Sequence, residues 1–347
     1  IGKIMKSKFL ASAALAATLW LVACGDEKNP NTPEEQPCTE CGALPESSST
    51  TFPANEISSS SVSEPVSSDS STPATGDESC TPSPVTYPQE KFVDIGEVYK
   101  NIQCNEKVVF IVRHAQREAS INSQSALTED GYEAAVKAGN KMPGTEPFKY
   151  IFSGMVRTYQ TAAGIAVGRG ETACTTGYAP DEDGAEHFAV ACTPQFNPDT
   201  LTQLKDGWYL KDKEIRDAYI AADTANYLKN SNVMITDWVY EGNYADAFYD
   251  LDARSKEFLA LLVKDYKDMP KYTLAASHDQ VLMPLTAWAT DKKIDIKLHD
   301  PNSRNWLNYL AGVAVIVNDK NEQRYVAIKG MDDNVLPDGT VYDGGIQ

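Results

Sequence analysis

Positive charge is scarce in this chain: 31 lysines and arginines stand against 49 acidic residues, a formal net charge of −18 over 347 residues. That balance excludes a broad nucleic-acid-binding face, which needs a basic stripe to displace counterions. Long apolar runs are missing too. The most apolar stretch, Phe9 to Val22, is shorter than the roughly 20 residues a helix needs to cross a bilayer. Histidine is rarer still, at four residues, and no second Cys-x-x-Cys accompanies Cys38-Thr39-Glu40-Cys41. No metal centre is therefore expected, and no other cofactor. No internal repeat is present, which excludes a repeat array.

What is there divides into three parts. Lys3, Lys6 and Lys8 precede the apolar stretch, as in a secretory signal peptide. The stretch ends in Leu21-Val22-Ala23-Cys24-Gly25, which resembles a bacterial lipobox, and the resemblance implies lipidation of Cys24. Residues 1–24 then form the signal peptide, and the chain is expected to be exported and held at the cell envelope through lipid on Cys24. Residues 25–90 carry a charge of −11 and little apolar content; twelve of the 26 residues from Ser47 to Thr72 are serine. Such a segment cannot bury enough surface to offset its ordering entropy, so it is expected to be a disordered tether. The remaining residues, 91–347, carry −10 against +3 for the first 24. Any anionic ligand must be drawn by a local cationic pocket.

Beyond Cys24, six cysteines remain: Cys38, Cys41, Cys80, Cys104, Cys174 and Cys192. An even number in an exported chain suggests disulfides. Cys174 with Cys192 is the preferred pair because they bracket a Gly-, Asp- and Thr-rich excursion, and Cys80 with Cys104 would pin the tether to the folded part.

The folded part reads as one α/β domain. Val108 to Val112 is a continuous apolar, mostly β-branched run, as expected of a strand buried on both faces of a parallel sheet. Thr128 caps a helix starting at Glu129. Strands are predicted at Tyr150–Phe152 and Tyr272–Ala276, and helices at Arg157–Val167 and Val281–Ala289. Phe248, Leu251, Ser255, Phe258, Leu259, Leu262 and Tyr266 fall on one stripe of a long helix. A hairpin joins Gly312–Val317 to Tyr325–Ile328. The expected architecture is a mostly parallel central sheet with helices on both faces and an inserted cap of helices and loops at about 170–243. Trp208, Trp238, Tyr240 and Tyr244 are read as the core of that cap, with a substrate mouth as the alternative. His187 and His299 lie in loop-like sequence and are read as surface residues.

Ligands in open α/β sheets bind beyond the C-terminal strand ends. Three predicted strands run into Arg113-His114-Ala115-Gln116-Arg117, Ser153-Gly154-Met155-Val156-Arg157-Thr158 and Ser277-His278-Asp279. Guanidinium forks of that number can grip the oxygens of a phosphoryl group, and an imidazole among them can attack phosphorus in line. Asp279 beside His278 could protonate a leaving alkoxide.

These residues resemble the histidine phosphatase superfamily, the phosphoglycerate-mutase-like fold, over about Lys107 to Val317. Arg117 in the spacing Arg-His-x-x-Arg, and His278-Asp279, look closer to its acid phosphatase and phytase branch. The resemblance implies His114 as phosphohistidine nucleophile, Arg113, Arg117, Arg157 and His278 as phosphate ligands, and Asp279 as proton donor. Ala115 stands where the family usually has Gly, a difference of one methyl group. Glu241, in the variable region where mutase-like members place their acid, is the rival to Asp279. The function expected is hydrolysis of a small-molecule phosphate ester. The alternatives are a phosphoglycerate-mutase-like phosphotransferase and a catalytically inactive surface lipoprotein that binds phosphorylated ligands.

Overall fold

The computed structural model describes residues 81–118, 125–180, 184–229, 231–296 and 307–331. Cys24, Cys38, Cys41, Cys80 and His299 lie outside these, as do the expected signal peptide and most of the expected tether. No helix among the described residues is long and apolar enough to cross a membrane.

In chain order the elements are α1 (Ile95–Lys100), β1 (Glu106–Arg113), α2 (Glu129–Asn140), β2 (Phe148–Phe152), α3 (Val156–Gly168), β3 (Cys174–Pro180), β4 (Glu186–Cys192), β5 (Asp199–Thr200), α4 (Lys213–Ala222), α5 (Ser231–Glu241), α6 (Leu251–Leu262), β6 (Tyr272–Ser277), α7 (Asp279–Ala289), β7 (Gly312–Asn318) and β8 (Gln323–Ile328). Six strands form one sheet in the order β5-β2-β6-β1-β7-β8. The first four run parallel, whereas β7 and β8 are antiparallel to their neighbours. This is the mostly parallel sheet expected.

β1 shows why the sheet needs helices on both sides. Its residues alternate between two apolar layers: Val109 and Ile111 pack with α5, α6 and α7, while Val108, Phe110 and Val112 pack with α1, α2 and α3. Each fully buried Val or Ile of this strand contributes on the order of 2 kcal/mol of apolar transfer. Local signals set the helix starts. Thr128 Oγ1 accepts from Gly131 N–H at 3.0 Å to cap α2, and Asp250 Oδ1 accepts from Ala253 N–H at 2.8 Å to cap α6.

Two expectations change. The long helix expected through Tyr266 stops at Leu262, where Val263 turns extended; Ser255, Phe258, Leu259 and Leu262 nevertheless form its buried stripe. The insertion is also not only helix and loop. It opens with the β3–β4 hairpin, whose register pairs Cys174 with Cys192, and these two are joined by a disulfide. Cys104 is disulfide-bonded as well; Cys80, its expected partner, lies outside the described residues. Trp238 and Phe248 stack at 4.6 Å, and Tyr240 donates from its hydroxyl to Ile294 O, so these aromatics belong to the apolar layer under α5.

Candidate active site

Parallel pairing brings the strand ends level. Arg113 ends β1 opposite Ser277, the end of β6, and His114 N–H donates to Ser277 O at 3.0 Å. β2 lies on the other side of β6 and ends at Phe152, from which Ser153 and Gly154 turn into α3. Gly154 makes this turn at φ +85°, and a Cβ there would stand 3.2 Å from Thr200 Cγ2. Three segments far apart in sequence thus open onto one edge.

His114 is buried, and Ala115 O lies 2.8 Å from its Nδ1. A carbonyl can only accept, so Nδ1 carries the proton and Nε2 the lone pair. Burial, then the charges of Arg113, His278 and Arg157, hold the imidazole well below its ordinary pKa, so it stays neutral. Its backbone is tied to α3 by Ala115 N–H donating to Thr161 Oγ1 at 2.9 Å.

His278 faces His114 edge-on, with ring centroids 5.2 Å apart. Arg157 Nη2 donates to its Nδ1 at 3.4 Å, which assigns the proton to Nε2 and directs it to Ser153 Oγ at 2.8 Å. Ser153 Oγ lies 2.9 Å from Thr158 Oγ1, which donates to Met155 O at 2.8 Å. This relay fixes the ring and ties the second and third motifs together. Burial and the charges of Arg157, Arg113 and Lys205 depress His278 to about 3, with Asp279 opposing.

Arg113 is fully buried. Its Nη1 donates to Leu307 O at 2.5 Å, its Nη2 stands 3.3 Å from Asp279 Oδ2, and its guanidinium lies 4.1 Å over the Tyr309 ring. Burial lowers the pKa of Arg113 and of Arg157, and the charge of Arg117 lowers both further. Arg117 is half-buried on the loop after β1 and donates from Nη1 to Glu118 O at 3.2 Å. The arrangement brings together His114, His278, Arg113, Arg117, Arg157 and Asp279.

It does not bring Glu241 among them. Glu241 is exposed at the end of α5, where it accepts from Asn243 Nδ2 at 3.0 Å, and the charges acting most strongly on His114 and His278 do not include it. His187, read as a surface loop residue, is in β4, with its Nδ1 2.6 Å from Glu118 Oε2.

The carboxyl that sequence reading missed is Asp206. Ser277 Oγ donates to Leu204 O at 2.7 Å and holds the loop of Lys205 and Asp206 against the end of β6. Burial and the Asp279 carboxylate push Asp206 up to about 7, against the pull of Arg157, Arg113 and the Gln280 N–H. The side chain is nevertheless exposed, so water weakens the contribution of burial, and the Asp279 carboxylate is the cause that sustains the direction. The only sequence signal was position after a strand, and β5 is two residues long, too short to show periodicity.

Chemically this is a cationic cluster around a buried, neutral, nucleophilic nitrogen, with an exposed carboxyl beside it whose pKa is raised. Comparison with known families matches residues 109–177 to the histidine phosphatase superfamily (branch 1). The matched stretch runs from β1 into β3 and contains Arg113, His114, Arg117 and Arg157; Asp206, His278 and Asp279 lie beyond it. The branch corrects the sequence reading, which had placed the chain nearer the acid phosphatases and phytases. Among solved structures, phosphoglycerate mutase from Bacillus anthracis str. Sterne is similar at 15% identity and a TM-score of 0.38, over 64% of this chain and 92% of that one. A mycobacterial glucosyl-3-phosphoglycerate phosphatase is similar at 17% identity and a TM-score of 0.32, over 65% and 97%. The search of curated proteins gave no match.

Proposed function

We propose that the chain is an exported, lipid-anchored phosphomonoesterase that works through a phosphohistidine on His114. The observation that carries the reading is the Nδ1–H bond to Ala115 O, which leaves Nε2 unprotonated amid Arg113, Arg157 and His278. Nε2 attacks phosphorus, forming an N–P bond as the ester P–O bond breaks. The arginines take the charge of the three non-bridging oxygens, and His278, whose Nε2–H goes to Ser153 and whose Nδ1 accepts from Arg157, holds Arg157 in place among them. The departing alkoxide needs a proton, and the pair Asp206 and Asp279 can supply one. Asp279 faces the Arg113 guanidinium, which favours its ionised form, so the proton rests on Asp206. Asp206 is therefore preferred to Asp279 as the acid. In the second half, water attacks the phosphohistidine, the Asp206 carboxylate accepts its proton, and inorganic phosphate leaves with His114 regenerated.

The full chain, expressed in a bacterium and fractionated, tests this. Phosphate release from a panel of monoesters is expected in the membrane fraction. It should move to the soluble fraction with Cys24→Ser and disappear with His114→Ala, by a factor of at least about 10⁴. Retained binding of phosphate esters with no turnover on any of them would support the binding-protein reading instead. Transfer to a second alcohol in preference to water would support the mutase reading.

A further inference from the structure

The β3–β4 hairpin stands outside the six-stranded sheet, and the phosphoryl chemistry above makes no use of it. It nevertheless reaches the first motif. Phe188 N–H donates to Glu118 Oε1 at 3.0 Å, and His187 Nδ1 lies 2.6 Å from Glu118 Oε2. Both oxygens of one carboxylate are thus taken by consecutive residues of β4, and Glu118 directly follows Arg117.

The same stretch is fixed from its other side. Glu118 N–H donates to Ala126 O at 3.0 Å, and Arg117 forms an antiparallel bridge with Leu127. Gln160, one turn along α3 from Arg157, closes the circuit. Its Oε1 accepts from Leu127 N–H at 2.7 Å, and its Nε2 donates to Phe188 O at 2.8 Å. The buried Phe188 ring packs 5.6 Å from Tyr132 of α2, which keeps β4 from swinging away with the loop it grips.

We propose that Glu118, held by His187 and Phe188 of the hairpin, is a positioning residue that sets where Arg117 meets the phosphoryl group. The inference rests on the reading of Arg117 as a phosphate ligand. A long side chain on an unpinned loop loses more freedom when it engages an anion, and the loss falls on affinity; pinning its backbone removes part of that cost beforehand. Glu118 touches no reacting atom in this scheme. Its removal should therefore weaken ground-state and transition-state binding alike, raising KM while leaving kcat nearly unchanged.

The test uses the full chain, with p-nitrophenyl phosphate for kinetics and inorganic phosphate for calorimetric binding. Glu118→Ala is expected to raise both KM and the phosphate Kd about tenfold, with kcat within about twofold. Glu118→Gln keeps an acceptor for Phe188 N–H and should recover most of the loss. In an Arg117→Ala background, Glu118→Ala should add nothing. His187→Ala serves if Glu118→Ala fails to fold, with a rise of about threefold expected. Unchanged KM and Kd in the single variants, or an undiminished Glu118→Ala effect without Arg117, overturns the inference while leaving the function standing. A wild-type chain that neither binds nor releases phosphate overturns both.

Discussion

At the scale of single residues, the two carboxyls that could serve as the acid differ in how legible they were. Asp279 was legible because it adjoins His278 after an unmistakable strand. Asp206 was not, because nothing in Leu204-Lys205-Asp206-Gly207 separates it from the other acids of the insertion. The pH profile distinguishes the two. A general acid must be protonated when the ester breaks, and the Asp279 carboxylate raises Asp206 above the ordinary carboxylate range, so kcat should fall about tenfold per pH unit above that raised pKa. His114 must be unprotonated, and its pKa lies well below 6.5, so no acid limb is expected near 6.5. The plateau should therefore end on its alkaline side at the raised Asp206 pKa, above the range of an ordinary carboxyl. Asp206→Asn should lower kcat by about 10²- to 10⁴-fold and remove the alkaline limb. If Asp279 is the acid, Asp279→Asn removes that limb, and Asp206→Asn only moves it to lower pH, since a neighbouring negative charge is gone.

At the scale of elements, strands buried on both faces were read correctly because a continuous β-branched run such as Val108 to Val112 has few other uses. The helices starting at Glu129 and Leu251 were read from a cap and from an apolar stripe. The β3–β4 hairpin escaped notice because Cys174 to Pro180 has neither alternation nor a bulky core residue, and most of it is exposed. Its pairing is supported by the disulfide at its open end, where sequence reading placed a bridge for a different reason. The Cys174–Cys192 bond closes a separation of 18 residues. In the chain-entropy account a loop of that length contributes about 3 kcal/mol. The double variant Cys174→Ser/Cys192→Ser should lower the unfolding free energy in urea by about that amount. It should also raise KM in the direction of Glu118→Ala, because β4 carries the grip on the Arg117 loop. A loss of stability with unchanged KM would show that β4 holds its place through Phe188 and Gln160 alone.

At the scale of the whole molecule, charge sets the substrate's approach. Residues 91–347 carry −10, while the site gathers Arg113, Arg117, Arg157 and Lys205 around Asp206 and Asp279. A phosphate ester dianion far from the surface meets the net negative body, and only within about a Debye length of the mouth does the local cationic field prevail. At 0.01 M ionic strength that length is about 30 Å, so the repulsive body dominates the encounter; at 0.15 M it is about 8 Å, and the body is screened while the buried guanidiniums are not. Added sodium chloride should therefore raise kcat/KM, by about twofold across this range, with the change in the association step and not in kcat. Chloride is the salt to use, since sulfate or phosphate would compete for the socket itself. A steady fall of kcat/KM with chloride would mean that the cationic mouth governs the encounter from a distance. The acidic composition that first excluded nucleic acid would then be irrelevant to substrate capture.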